Sequence, residues 1–223
     1  MSARAVIFDL DNTLYPERRF ALSGFAAVAR DVETRDGVRA CEAYRVLVGA
    51  YRSGHRASAF QRLVDAYDLP ADRIGEWVRV VRTHAPRLRL ARRTRRMLAD
   101  LRARWRVGLV TNGLPEVQRR KVDALGLGPF FDHVGTPGLP GAGGKPDPEG
   151  FLAACQALGA LPRRAVFVGD DFLVDVLGAR NAGLKTIHFA PGARPAARAG
   201  AADAVVARLE DVPGAVEALL QDV

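Results

Sequence analysis

The run Ala5-Val6-Ile7-Phe8 is an apolar strand that ends in Asp9-Leu10-Asp11-Asn12-Thr13-Leu14, and no other feature narrows the possible folds so much. Successive side chains on a strand alternate faces, so Asp9 and Asp11 emerge on the same side at its end. Two acids placed this close raise the free energy of the doubly ionised state unless a cation or a shared proton lies between them. The spacing therefore suits a divalent cation beside a reacting phosphoryl group. An ordinary turn is the plain alternative, because Asp and Asn are frequent in turns. The rest of the chain decides between the two.

With 223 residues the chain can bury a full core, as one domain or as one domain carrying an inserted module. No apolar stretch reaches the roughly 20 residues that span a bilayer, and Met1 to Arg4 lead into the strand without a signal-peptide layout. The expected compartment is the cytoplasm. Cys41 and Cys155 each fall inside an apolar helical pattern and are expected to be small core residues, neither a disulfide framework nor a metal site. The net charge of +8 comes almost entirely from arginine, since Lys121, Lys145 and Lys185 are the only lysines. Those arginines are spread along the chain, with one dense stretch from Arg87 to Arg106 in which Trp105 is the single aromatic residue, too few to stack bases. They imply solvated helix faces and a modest attraction for phosphorylated substrates; no nucleic acid and no membrane partner is expected.

Tyr15-Pro16 breaks the chain after the first strand, and the next seventy or so residues hold no convincing strand. Apolar positions recur there with helical spacing: Phe25, Val28 and Val32; Cys41, Tyr44, Val48 and Tyr51; Phe60, Leu63, Val64 and Tyr67; Ile74, Trp77, Val78 and Val81. Beyond Pro86 helix and strand alternate, which argues for a parallel sheet with crossover helices. The pattern predicts a helix over 94–104, a strand over 106–110, a helix opening at Leu114-Pro115-Glu116 and closing near Gly126, and a Gly- and Pro-rich loop over 135–144. A helix around Phe151 to Leu158, a strand over 165–168, a helix ending at Gly183, strands over 186–189 and 204–206, and a terminal helix follow. The fold class is thus α/β: a Rossmann-like parallel sheet with helices on both faces, formed by residues 1–15 and 91–223, plus a four-helix module inserted over 16–90. In such sheets ligands bind beyond the carboxyl ends of the strands, where all the polar motifs fall.

Four such motifs occur in order: Asp9-Leu10-Asp11-Asn12-Thr13, Thr111-Asn112, Lys145-Pro146, and Gly169-Asp170-Asp171 with Asp175. With the Lys-Pro-Asp-Pro run at 145–148 and the run Gly178 to Gly183, they resemble the haloacid dehalogenase (HAD) superfamily over essentially the whole chain, and most closely its phosphatase branch with a helical cap after the first strand. The resemblance implies that Asp9 is the nucleophile and forms an aspartyl-phosphate, a step that needs neutralised charge around the phosphoryl group. It implies Mg²⁺ held by the Asp9 carboxylate, the Asp11 backbone carbonyl, the Asp170 carboxylate and waters, with Asp175 and Asp171 orienting those waters. Asp11 would be the general acid and later the base, and its presence favours phosphate chemistry over carbon–halogen cleavage, because a halide leaves without a proton. Thr111 and the Asn112 N–H would hold phosphoryl oxygens, and Lys145 would bridge Asp9 and the phosphate.

The implied activity is Mg²⁺-dependent hydrolysis of small phosphate monoesters, with the cap closing over the site. The stretch Thr111-Asn112-Gly113 followed by Gln118 and Lys121 is similar to nucleotidases and acylneuraminate-9-phosphatases, which favours a nucleoside monophosphate or sugar phosphate. A phosphomutase is the alternative; a response-regulator-type domain and a non-catalytic adaptor fit the order of motifs and the intact acids less well. The partner is a small phosphorylated metabolite, and the protein a monomer or small homo-oligomer. His55, His84, His133 and His188 show no ligand spacing and are assigned to structure or surface. Thr111 as a simple helix cap and Lys145 as a surface lysine are the ordinary alternatives for those two.

Overall fold

Asp9 can be placed at the centre of a sheet edge only if its strand is buried on both faces, and its four apolar residues meet that demand. The computed structural model describes residues 3–192 and 202–221. Strands Ala3–Phe8 (β1), Arg106–Val110 (β2), His133–Gly135 (β3), Ala160–Gly169 (β4), Lys185–Phe189 (β5) and Ala204–Val206 (β6) form one parallel sheet in the order β3-β2-β1-β4-β5-β6. Phe8 sits in register with Leu109 of β2 on one side and Val168 of β4 on the other. The residues that follow these three central strands, Thr111, Asp9 and Asp170, therefore leave the sheet side by side at its switch point.

Alternation along β1 feeds two apolar layers. Ala5 and Ile7 join Phe167 and the helix Pro148–Ala157, through Phe151, Ala154 and Cys155, in one core. Val6 and Phe8 face the other way, toward the side on which the helices Arg92–Arg102 and Val212–Gln221 contact β2 and β4 and bury Met97, Leu98, Leu101, Val216 and Leu220. Each layer covers one face of the sheet.

Residues up to Pro16 and from Arg89 onward make one compact unit, and Glu17–Leu88 make a second. The second unit consists of helices Arg18–Asp36 (α1), Ala40–Arg52 (α2), Ala59–Tyr67 (α3) and Arg73–Thr83 (α4) around a core that includes Phe25, Val32, Leu47, Leu63 and the fully buried Trp77. The Arg73 guanidinium lies 5.5 Å from the Trp77 ring centroid and is tied to Asp31, Asp36 and Glu76. Among the described residues no helix is long and apolar enough to cross a membrane.

Several local expectations are corrected. Cys41 is exposed: α2 buries Ala43, Leu47 and Ala50, while Tyr44, Val48 and Tyr51 are only partly buried, so the stripe that reaches deepest is the alanine-bearing one. Small residues let neighbouring helices approach, a demand that a count of large apolar residues misses. The strand β3 falls where the sequence predicts no element, just before the expected loop over 135–144, because three residues with one apolar side chain carry no periodic signal. The helix expected over 94–104 runs from Arg92 to Arg102, and β4 begins five residues before the expected Ala165, where Ala160 pairs with Ala3 across a register shift. The helix ending at Gly183 is a π-helical turn, Phe172–Leu177, continued by Gly178–Asn181.

Burial separates the two thiols chemically. Desolvation pushes Cys155 up to about 11, and its side chain is buried, whereas Cys41 is at the surface. A thiol reagent at pH 8 should label one cysteine of the native protein within minutes and the second only in denaturant; equal rates for both in the native state would contradict this core.

Candidate active site

The loop after β1 is pinned before any side chain acts. The Asp9 N–H donates to Val168 O at 2.9 Å, Leu14 N–H to Leu10 O at 3.0 Å, and Asn12 N–H to Tyr15 O at 2.9 Å. Asn12 takes the left-handed conformation, φ 61°, which asparagine tolerates better than most residues. The turn directs Thr13 Oγ1 to Asp170 Oδ1 at 3.1 Å, which ties the end of β1 to the end of β4.

Lys145 is the hub. Its side chain is buried, and its Nζ donates to Asp9 Oδ1 at 2.6 Å and to Asp175 Oδ1 at 2.7 Å. Asn112 holds it there by a reciprocal pair of bonds: the Lys145 N–H donates to Asn112 Oδ1 at 2.8 Å and Asn112 Nδ2 donates to Lys145 O at 2.6 Å. The sequence reading gathers both residues around one phosphoryl group but misses this clamp between them. Asp175 arrives on the π-helical turn, and its Oδ2 accepts the Asp171 N–H at 3.1 Å. Gly169 makes room for it, because a Cβ at that position would lie 2.5 Å from the Asp175 Cβ and Cγ.

Asp11 faces a different set. Its Oδ2 accepts from Lys121 Nζ at 2.6 Å and Gln118 Nε2 at 3.2 Å, and its Oδ1 from the Tyr15 hydroxyl at 2.6 Å. Gln118 and Lys121 are one turn apart on the helix Pro115–Leu125, and both are buried. Gln118 also donates to Thr111 Oγ1 at 2.5 Å and to Asn112 O at 2.8 Å. With the hydroxyl oxygen of Thr111 taken as acceptor, its own proton is left to donate outward.

Not every expected residue joins the cluster. Asp171 is exposed, and its Oδ1 accepts the N–H groups of Leu173 and Val174, both at 2.9 Å, so its carboxylate caps the following turn and is not turned to the other acids. Asp175, in contrast, lies directly among them. His188 is buried and its Nε2 sits 3.0 Å from the Asp170 carbonyl oxygen, which assigns the ring proton to that nitrogen and makes the histidine a prop for the acid's backbone.

The electrostatics describe a charge imbalance. Oxygens of Asp9, Asp170 and Asp175 lie within 4.8 Å of one another, and Lys145 is the single cation paired with them among the described residues. Burial first, and then the Asp175 and Asp11 carboxylates, outweigh the pull of Lys145 and push Asp9 up to about 7. Desolvation, and then the Asp9 carboxylate, push Asp170 up to about 6. Asp175 is raised by burial as well. Burial pulls Lys145 down, but Asp9 and Asp175 more than offset it, so it stays a cation. An all-oxygen donor set with excess negative charge and no Cys or His ligand fits a hard divalent cation such as Mg²⁺.

Comparison with known proteins places this arrangement. The sequence model of a family described as haloacid dehalogenase-like hydrolase matches residues 3–183. The chain belongs to the haloacid dehalogenase-like hydrolases. Within them it is 31% identical over 196 residues to the glyceraldehyde 3-phosphate phosphatase of Methanothermobacter thermautotrophicus, covering 82% of this chain and 84% of the relative. It is 40% identical over 116 residues to the phosphoserine phosphatase of Thermus thermophilus, a match that spans 52% of this chain and 46% of that protein. Among solved structures, a 2-haloacid dehalogenase from Pseudomonas syringae pv. Tomato DC3000 superposes with a TM-score of 0.66 at 25% identity, over 97% of this chain and 98% of that one.

The raised acids give a signed pH prediction for the metal-free protein. A carboxyl whose folded-state value is raised binds more protons folded than unfolded between 3.8 and about 7, so its contribution to stability falls as pH rises through that window. Asp9→Asn removes that contribution. The melting temperature of the variant minus that of the wild type, measured in EDTA, should be near zero at pH 3.5 and grow positive by pH 7.5; a gap that is negative or flat with pH would refute the electrostatic reading.

Proposed function

We propose that the chain is a Mg²⁺-dependent phosphatase of small phosphate monoesters, a nucleoside monophosphate or sugar phosphate, acting through an aspartyl-phosphate on Asp9. The observation that carries this reading is the separation of two acids two residues apart into two environments. Asp9 sits in a buried, cation-lined pocket suited to an incoming phosphoryl group, and Asp11 in its own cradle of three donors. The phosphatase relatives support it.

An Asp9 carboxylate oxygen attacks phosphorus, and the bond from phosphorus to the ester oxygen breaks. Asp11 gives its proton to the departing alcohol, and then takes one from the water that attacks the aspartyl-phosphate, releasing inorganic phosphate and restoring Asp9. Lys145 neutralises charge at the attacking oxygen. The Thr111 hydroxyl and the Asn112 N–H hold phosphoryl oxygens. Asp9, Asp170 and the Asp11 carbonyl, with Asp175 behind them, would hold Mg²⁺, which would supply further neutralisation of the phosphoryl charge. Lys121, Gln118 and Tyr15 aim the Asp11 carboxylate and so set how well the alcohol is protonated. That acid also weighs against the dehalogenase chemistry of the structural neighbour, in which a halide leaves unprotonated.

Two measurements test this. Mg²⁺-dependent phosphate release from 4-nitrophenyl phosphate should fall by at least roughly 10³-fold in Asp9→Asn; full activity there removes Asp9 as nucleophile, and sugar-to-sugar transfer without net phosphate release would make the enzyme a mutase. Lys121→Met should lower kcat/KM for an alkyl phosphate by roughly 10²-fold and for 4-nitrophenyl phosphate by much less, because nitrophenolate leaves with little need of a proton. Equal losses on both substrates would make Lys121 a merely structural residue.

A further inference from the structure

The four-helix unit carries a groove of about 300 Å³ that the proposed reaction does not use. Three arginines line it, Arg19 and Arg30 on α1 and Arg87 beyond α4, and no acid does. Four arginines of this unit are paired with carboxylates: Arg35 with Glu76, Arg39 with Glu42, Arg56 with Glu17, and Arg73 with Asp31 and Asp36. Among the described residues Arg19, Arg30 and Arg87 have no such partner. Three like charges around one concavity, with nothing to neutralise them, form a region of positive potential that favours an anion.

The layout says more about the anion. Arg19, Leu22, Ser23, Ala26 and Arg30 follow one face of α1 at helical spacing. The Arg87 N–H donates to Ser23 Oγ at 2.9 Å, which fixes Arg87 next to the middle of that face, about one turn (roughly 6 Å) from Arg19 and about two turns (roughly 10 Å) from Arg30. The backbone of Arg87 thus lies nearer Arg19 than Arg30 along that face, and Leu22 and Ala26 fall between Arg19 and Arg30. Tyr44 of α2 also lines the groove. A planar guanidinium presents a fork that matches phosphate or carboxylate oxygens, and the volume is at the small end of metabolite sites.

We propose that this groove binds a small metabolite carrying two anionic groups joined by a short, largely apolar body, one group held by Arg19 and Arg87 and the other by Arg30. The groove shares no residue with the Asp9 cluster and does not depend on the phosphatase reading, so either can fail alone.

Hexane-1,6-diphosphonate, whose carbon–phosphorus bonds a phosphatase does not cleave, is a suitable probe in calorimetric titration of the full chain with Mg²⁺ present. One saturable binding event that persists in Lys145→Met is expected, beside the binding of a phosphonate group in the Asp9 pocket of the wild type. That event should weaken at least about tenfold in the triple variant Arg19→Gln/Arg30→Gln/Arg87→Gln, whose exposed positions leave the helical core intact, and hexylphosphonate should bind more weakly than the diphosphonate. The control Arg92→Gln/Arg96→Gln/Arg163→Gln, which removes the same charge elsewhere on the surface, should bind as the wild type does. The proposal is overturned by an absence of saturation, by equal weakening in the control, or by a single binding event that survives the groove variant and disappears in Lys145→Met.

Discussion

One ammonium group inside the sheet edge makes the rest of the site possible. Lys145 joins Asp9 at the end of β1 to Asp175 on the π-helical turn, and without it two buried carboxylates would face each other in a poorly solvated pocket. Removing one member of a buried pair leaves the other uncompensated, at a cost of about 3–5 kcal/mol. The asymmetry between one lysine and three acids also sets the chemistry, since the pocket is stable enough to form and still short of positive charge. That excess of negative charge favours a hard cation among the three carboxylates.

The backbone details serve this hub. The Asn112 amide fixes the main chain of Lys145 through both of its polar atoms, which joins the loop after β2 to the loop before the helix that starts at Pro148. Gly169 lets Asp175 approach where any larger residue would collide. The two positions act by geometry: one supplies a matched donor and acceptor, the other supplies space. Around Asp11 the same economy appears, with Gln118 bridging Asp11, Thr111 and the Asn112 carbonyl through one amide group.

Much of this was legible in the sequence because parallel α/β sheets confine polar residues to strand ends. The aspartates after β1 and β4 and the Thr-Asn pair after β2 stand out against apolar runs, and the alternation of elements orders them. What local pattern could not convey is contact between distant segments. Gln118 and Lys121 stand out in the sequence only through the likeness to nucleotidases, and their burial against Asp11 is a contact across more than a hundred residues. His188 is one polar residue in a short strand, and its link to the Asp170 carbonyl depends on β4 and β5 being neighbours. Asp171 and Asp175 differ in role through the π-helical turn, which aims one at a backbone cap and the other at Lys145. Cys41 shows the opposite error, in which a plausible periodic stripe was one step off the alanine face that the helices bury.

The central position of β1 has a consequence for biosynthesis. Its neighbours in the sheet are β2 and β4, and the closing contacts span 136 residues for Lys145 with Asp9 and 157 for Asp170 with Thr13. A nascent chain leaving the ribosome therefore carries the unpaired apolar run Ala5 to Phe8 of β1 until the later strands emerge, while the four helices of residues 17–88 can already pack locally. Assembly of this sheet edge is thus a late event, and until then the apolar run of β1 is exposed to unwanted association.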